Sequence, residues 1–445
     1  MLLRGTMRVN DRGHLEIGGC DAVELARTFG TPLYVIDENL LRNNCRTYRS
    51  AFGPDNHVIY AGKTLLTAAI CRIIEEEGLG LDVVSGGELH TALVVQFPAS
   101  RIYFHGNNKS PAEIRMGLEA GVHRFVVDNA LELDRLNRTA GDLGRTASIL
   151  LRLQPGIEAH THEYIQTGKV DSKFGFPVAT GQAMEAVRQA LTLPHIRLHG
   201  LHCHIGSQIF ELQAFADAAR VMLEFARKAH EATGWMLSEL NLGGGLGIYY
   251  VEGDEPPTIG DLARTIRGTV EATAAGLSLP LPRIMVEPGR SLIGPAGTTL
   301  YTVGAVKEIP GIRTYVAVDG GMGDNPRPAL YQARYEAAVA SRMTELPGKP
   351  VSIAGKCCES GDMLIWDIRL PAPNPGDILA VPATGAYTYS MASNYNRLPR
   401  PAMILARDGT AELVVRRESY ADLTRYDVVP ARLRPDLPTN QGGEA

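Results

Sequence analysis

Lys63 stands just past the short apolar run His57-Val58-Ile59-Tyr60-Ala61, and a helical pattern over Thr64–Glu77 follows, ending at Gly78. A lysine at the C-terminal tip of a strand that feeds a helix sits at the mouth of an α/β sheet or barrel, where chemistry concentrates. Its amine could form a Schiff base with a carbonyl compound. The plain alternative is a solvated surface charge, the usual state of a lysine. Gly243-Gly244-Gly245, after a helix and a strand, lets backbone N–H groups approach an anion with no Cβ in the way. That suits a phosphate, though such a run is also a flexible strand–loop corner. Val286-Glu287-Pro288-Gly289-Arg290 closes a further strand. Its glutamate could face a pyridine nitrogen and keep that ring protonated, or pair with Arg290 for structural reasons.

His202-Cys203-His204-Ile205-Gly206-Ser207 ends another strand. Two histidines and a cysteine suggest a metal. Strand alternation, however, turns Cys203 away from both histidines, and no acidic third ligand is near in sequence. A histidine stacked on an aromatic ring, with Ser207 near a phosphate, reads better, so no metal is expected. Three Gly-bounded windows lie later: Arg327 and Tyr331 in Asp319–Tyr331; Cys357-Cys358-Glu359-Ser360; and Tyr387, near Ser393-Asn394-Tyr395-Asn396. Cysteine, glutamate and serine in one loop look like a site contribution. Each window alone would read as a surface turn.

These residues need a scaffold, and the chain supplies an ordinary globular composition. Of its 445 residues, 44% are hydrophobic and 21% charged, too many residues for one small core. Absence of an eighteen-residue apolar run excludes a transmembrane helix, and Met1–Arg8 lacks a secretory apolar core. Net charge of −5 and a pI near 6.2 offer no basic field for nucleic acid. Six scattered cysteines without Cys-x-x-Cys spacing read as reduced thiols, which fits a cytoplasmic enzyme.

A strand–helix rhythm predicts strands at 58–61, 81–84, 101–104, 124–127, 148–153, 198–202, 239–242 and 283–286, with helices at 88–96, 111–120, 131–141, 182–191, 212–233 and 259–275. Eight alternations over about 250 residues is the signature of a (β/α)8 TIM-type barrel. A doubly wound sheet is the rival, but no Gly-x-Gly-x-x-Gly follows the first strand. Near Pro295 the rhythm changes to short β segments (298–308, 314–319, 350–354, 377–381, 402–406, 411–416), which predicts a second, mostly antiparallel β domain. The expected division is a barrel over 36–290 and a β domain over 291–445, completed by residues 1–35. Its alternating segments at 8–10 and 14–17 would return to join the later sheet. The tail after Tyr426 reads as frayed.

Taken together the windows resemble the fold-type III pyridoxal-phosphate decarboxylases, whose architecture is alanine-racemase-like, and within them the diaminopimelate decarboxylase family. The resemblance runs over almost the whole chain. It is carried by Tyr60-Ala61-Gly62-Lys63, Leu81–Leu89, His105-Gly106-Asn107-Asn108-Lys109, Thr161-His162 with Gly168 and Asp171–Gly175, His204–Gln208, the triple glycine, Glu287–Arg290 and Cys358-Glu359-Ser360. It implies that Lys63 makes the Schiff base with pyridoxal 5'-phosphate and that His204 stacks on the ring. Ser207, Gly244, Gly245, Gly289 and Arg290 would hold the phosphate with help from Tyr387. Glu287 would pair with the ring nitrogen, and Asp82 would play a supporting part. Arg290, Arg327 and Tyr331 would bind the substrate's distal carboxylate, with Tyr387 nearby, and Glu359 its distal amine. Cys358 would donate the proton after CO2 leaves, lent across a homodimer to the other subunit's barrel. The reaction implied is meso-2,6-diaminopimelate to L-lysine and CO2, the last step of lysine biosynthesis. A polyamine-type decarboxylase (ornithine, arginine or carboxynorspermidine) is the runner-up, and an amino-acid racemase would carry a tyrosine acid instead of the Cys-Glu-Ser loop. Two departures stand out. Lys63-Thr64-Leu65 replaces the Lys-Ala-Asn of many members, and Cys357 precedes Cys358.

Overall fold

Parallel strands covered by helices on one face and packed inside on the other read as near-continuous apolar runs, and these runs are where the barrel forms. The computed structural model describes residues 1–157 and 172–434. The motif segment Thr161-His162, Gly168 and Asp171 and the end of the tail lie outside them. Eight parallel strands (His57–Ala61, Gly80–Val83, Ile102–Phe104, Arg124–Val127, Ala147–Gln154, Ile196–His202, Glu239–Asn241, Arg283–Val286) pair in chain order. The eighth closes on the first through Met285↔His57 and Val286↔Val58. Ile59, Tyr103, Val126, Leu150 and Met285 fill the lumen, so the barrel is a packed core.

The helices are set by local chemistry. Ser110 and Glu113 form a capping box with Pro111 in the first turn, and Gly121 in the left-handed conformation ends that helix. Thr258 and Asp261 repeat the box before Ile259–Gly276. The helix expected over Thr64–Glu77 is corrected. Gly62–Thr64 form one 3-10 turn, Leu65 is extended, and the helix is Ala68–Glu76, capped by Thr67 Oγ1 on Ile70 N. Tertiary contacts override helix propensity here. Thr64 Oγ1 donates to Ala61 O at 2.7 Å and the Tyr60 hydroxyl to Leu65 O at 2.7 Å, holding the turn open.

The second sheet is built around the long strand Gly297–Ile309. It pairs antiparallel with Leu33–Asp37, Ile378–Pro382 and Arg313–Val318. Pro350–Ala354 and Met363–Arg369 extend one side, Ala402–Arg407 and Thr410–Val415 the other. Two of its pairings, Arg313–Val318 with Pro350–Ala354 and Leu33–Asp37 with Ala402–Arg407, are parallel. The segments at 8–10 and 14–17 do not enter it. Arg8–Val9, Leu15–Ile17 and Cys20–Asp21 make a small sheet of their own. It packs through Leu15 and Ile17 against Leu33, Leu300 and Ile404. Among the described residues no helix is long and apolar enough to cross a membrane.

The floor of the barrel carries a buried ion pair. Arg124 Nε and Nη2 donate to Glu239 Oε2 and Oε1 at 2.9 and 2.7 Å, tying the fourth strand to the seventh. Removing one partner strands a charge in a low-dielectric site. Glu239→Ala should therefore lower the unfolding free energy by ~3–5 kcal/mol in a denaturant titration. A loss below about 0.5 kcal/mol, the usual effect of a surface substitution, would contradict this account.

Candidate active site

At the C-terminal mouth of the barrel lies a cavity of about 280 Å³, at the lower end of the ~300–1,000 Å³ common for small-molecule sites. Lys63, Asp82, His204, Ser207, Gly244, Gly245, Glu287, Gly289, Arg290 and Tyr387 all line it. Cys203, expected to turn away, packs in the apolar core while His202 and His204 face the cavity.

The lysine turn is clamped from two sides. Ala61 N donates to Pro288 O at 3.1 Å, and Thr64 O accepts from Tyr387 N and Ser390 Oγ, each at 2.9 Å. A Cβ on Gly289 would sit 2.4 Å from Thr64 Cγ2, so only glycine lets the Glu287–Arg290 loop lie against the lysine turn. A Cβ on Gly244 would fall 2.1 Å from Glu287 O. The glycine cradle is thus pressed on the strand end that carries the glutamate. Tyr387 holds φ of 61°, an uncommon conformation for a bulky residue and one found at functional sites.

Glu287 is buried, with its carboxylate surrounded. His105 Nε2 lies 2.8 Å from Oε1, Asn241 Nδ2 donates to Oε1 at 2.7 Å, and His202 Nε2 lies 3.0 Å from Oε2. Burial alone would push this carboxyl up, but the charge of His105 and hydrogen bonds from His105 and His202 hold it well below its usual range. Burial pushes the Asp82 carboxyl up to about 6, against the pull of His105. It drives the His202 imidazole down to about 4 and that of His204 well below its usual value, with Lys63 and Arg152 adding to the latter. The site thus offers a fixed anion, a neutral ring at His204, a primary amine and a glycine cradle. Asp82 Oδ1 is buried and makes no hydrogen bond among the described residues. These groups fit a phosphorylated pyridine aldehyde: amine for the aldehyde, cradle for the phosphate, anion for the ring nitrogen.

Four expected site residues lie off the cavity wall. Arg327 begins the short helix Arg327–Tyr331 and is buried; Tyr331 ends it, half-buried. Cys358 and Glu359 are exposed. One carboxylate joins these two loops: Asp362 accepts from Met322 N at 2.6 Å and from Cys357 N at 2.8 Å. The sequence assigns no role to Arg152 or Tyr250, and His105 enters it only as the first residue of a motif. His105 directly follows the third strand, Ile102–Phe104, and Arg152 lies near the end of the fifth. Strand-end position was the signal that could have found both.

Stability should report the His202 environment. Between pH 6.5 and about 4 the unfolded chain binds a proton at this histidine that the folded protein refuses, so lowering the pH removes stability across that window. His202→Gln, which keeps a donor for Glu287, should flatten the fall of melting temperature between pH 6.5 and 4 in cofactor-free protein. An unchanged slope would show that His202 is not held neutral.

Residues 38–294 match the model of the pyridoxal-dependent decarboxylase family's pyridoxal binding domain. A diaminopimelate decarboxylase of Bacillus subtilis is 53% identical over 96% of this chain and 98% of its own length. The crystal structure of diaminopimelate decarboxylase from M. jannaschii in complex with L-lysine superimposes with a TM-score of 0.91 at 40% identity, covering 98% of this chain and all of that one. A lysine/ornithine decarboxylase of Vibrio vulnificus complexed with cadaverine lies further off, with a TM-score of 0.74 at 26% identity over 86% of this chain and 96% of that one. With its closed barrel, separate mostly antiparallel sheet and full-length identity to these proteins, the chain belongs to the pyridoxal-dependent decarboxylases, and among them to the diaminopimelate decarboxylase family.

Proposed function

We propose that this protein removes CO2 from meso-2,6-diaminopimelate to give L-lysine, using pyridoxal 5'-phosphate. The observation that carries the substrate choice is a pair of buried cations. Arg290 and Arg327 are each 6% exposed, and among the described residues neither pairs with a carboxylate. Buried unpaired guanidiniums call for an anion. A diamine-forming enzyme acting on ornithine has no second carboxylate to offer them, whereas diaminopimelate does.

In this reading the cofactor, when bound, serves as an electron sink for the carbon that loses CO2. Lys63 supplies the amine that holds its aldehyde carbon, and Glu287 keeps its ring nitrogen protonated. His204, held neutral, packs on the ring without repelling that charge. Ser207, Gly244, Gly245, Gly289 and Arg290 hold the phosphate by N–H and O–H donors, with Tyr387 beside them, and Asp82 supports the His105–Glu287 pair. Arg290, Arg327 and Tyr331 take the distal carboxylate, and Glu359 the distal amine. Cys358 returns the proton to the carbon that lost CO2. Cys358 and Glu359 are exposed in their own chain, which supports a homodimer in which each subunit lends them to the other's barrel. We take residues 36–290 as the cofactor-binding unit and 1–35 with 291–445 as the second. Pairing of Leu33–Val35 with Thr298–Leu300 and Ala402–Ile404 supports joining the N-terminal segment to the later sheet, although the strand itself runs on to Asp37. A cytoplasmic location fits six free cysteines.

Three outcomes test this. Wild-type protein should release CO2 and lysine from meso-diaminopimelate far faster than CO2 from ornithine or arginine, and Lys63→Ala should lose both turnover and the visible absorbance that borohydride abolishes. Retention of either by the variant would remove Lys63 from the chemistry. Mixing Lys63→Ala with Cys358→Ala protein should regain roughly a quarter to a half of wild-type activity through hybrid dimers, each with one intact site. Absence of any rescue would place the thiol within its own chain's site.

A further inference from the structure

The segment leaving the glycine cradle, Gly247-Ile248-Tyr249-Tyr250, runs directly to the two buried arginines. It is fixed on the way: Ile248 N donates to Gln208 Oε1 at 3.1 Å, and Gln208 Nε2 donates back to Ile248 O at 2.7 Å. Asp254 Oδ2 accepts from Tyr250 N at 2.8 Å and Val251 N at 3.0 Å. Tyr250 is itself buried, and its hydroxyl oxygen accepts from Arg290 Nη1 at 2.6 Å. Its ring lies under the Arg327 guanidinium, 4.8 Å from the centroid. Tyr335 meets the same ring edge-on at 5.4 Å and accepts from Arg327 Nη1 at 2.5 Å. Arg290 spends its other nitrogens on Ser207 Oγ, at 3.2 and 2.9 Å. Arg327 Nε is buried with no partner among the described residues. The arrangement is two like charges on one phenol, with the buried Arg327 Nε still lacking an acceptor among the described residues.

We infer that Tyr250 is a positioning residue for the distal-carboxylate clamp, its oxygen fixing Arg290 and its ring face fixing Arg327 so that both cations are in place before the anion arrives. The inference rests on the reading of these arginines as that clamp. Two guanidiniums left to themselves repel and would swing toward water, and their ordering would then fall on each binding event. A phenol is suited to hold them. Its oxygen accepts from one cation and its π face attracts the other, while it adds no negative charge that would compete with the substrate. Despite full burial, the two arginines draw the Tyr250 hydroxyl below its usual range, which agrees with a group that both cations contact.

Tyr250→Phe keeps the ring over Arg327 and deletes the acceptor for Arg290. In the holoenzyme, KM for meso-diaminopimelate should rise about tenfold, in line with a hydrogen bond to a charged group, while kcat changes less than about twofold. By calorimetry, Kd for L-lysine, which retains the distal carboxylate, should rise by a similar factor, and Kd for cadaverine, which lacks it, should not. Adding Arg290→Lys to Tyr250→Phe should cost less than the product of the two single effects. Arg327→Ala serves as the reference. If Arg327→Ala raises KM and Tyr250→Phe does not, the positioning role is overturned and the clamp stands. If neither moves KM, the clamp itself fails and this inference with it. Loss of cofactor absorbance, an equal fall in kcat, or equal effects on lysine and cadaverine would mark Tyr250 as structural and overturn the proposal.

Discussion

Barrel closure is the constraint on which the rest depends. The eighth strand must find the first, and only then does Glu287 come to the same mouth as Lys63. The carboxylate that closure buries would cost several kcal/mol if it were left alone. It is instead met by His105 after the third strand, His202 at the end of the sixth and Asn241 at the end of the seventh. Three strands thus converge on a residue following a fourth. Asn241 also accepts from Gly243 N at 2.9 Å through its side-chain oxygen, so the side chain that donates to Glu287 also shapes the glycine turn. Anion and cradle are set by one amide.

The second sheet is joined to this arrangement through the backbone of the lysine turn. Thr64 O accepts from Tyr387 N and Ser390 Oγ, and the strand Gly297–Ile309 starts four residues after the helix Arg290–Ile293. The loops that reach toward the mouth from this sheet are held by buried carboxylates. Asp324 accepts from Tyr301 Oη at 2.5 Å and from Gly321 N at 2.8 Å. Burial pushes its carboxyl up to about 7. Asp362 ties the Arg327 loop to the cysteine loop. Rigid elements thus carry the loops that hold Arg327 and the Cys357-Cys358 pair.

The barrel was legible because each strand is a short apolar run, and several of these runs end beside a polar residue of the cavity. Lys63, His204, the glycines and Glu287 all occupy such ends, so strand position located them. What escaped reading depends on partners far away in sequence. Leu33–Asp37 is a strand only because Gly297–Leu300 and Ala402–Ala406 come to it. Met363–Arg369 was missed because it is an edge strand with exposed Trp366 and Asp367, and its pairing with Pro350–Ala354 is broken by irregularities that blur alternation. The turn after Lys63 was read as helix since its residues permit one, and hydrogen bonds to Ala61 O and Leu65 O decide otherwise. Tyr250 looked like any tyrosine until Arg290 and Arg327 converged on it.

The adjacent cysteines show how one residue of register can separate two roles. Cys357 is buried, its amide is held by Asp362, and burial with that carboxylate nearby pushes its thiol up to about 11. Such a thiol releases its proton reluctantly and cannot readily recover one from solvent. Cys358 is exposed, and its amide donates to Asn396 Oδ1 at 2.7 Å, which turns the side chain outward. A group that gives up a proton on every turnover has to regain it, so in the shared-site reading the accessible thiol is the one fit for the task. The cavity's own described lining includes no cysteine. In that reading Cys358 and Glu359, outward-facing on a loop fixed by Asp362, are the pair available to another chain.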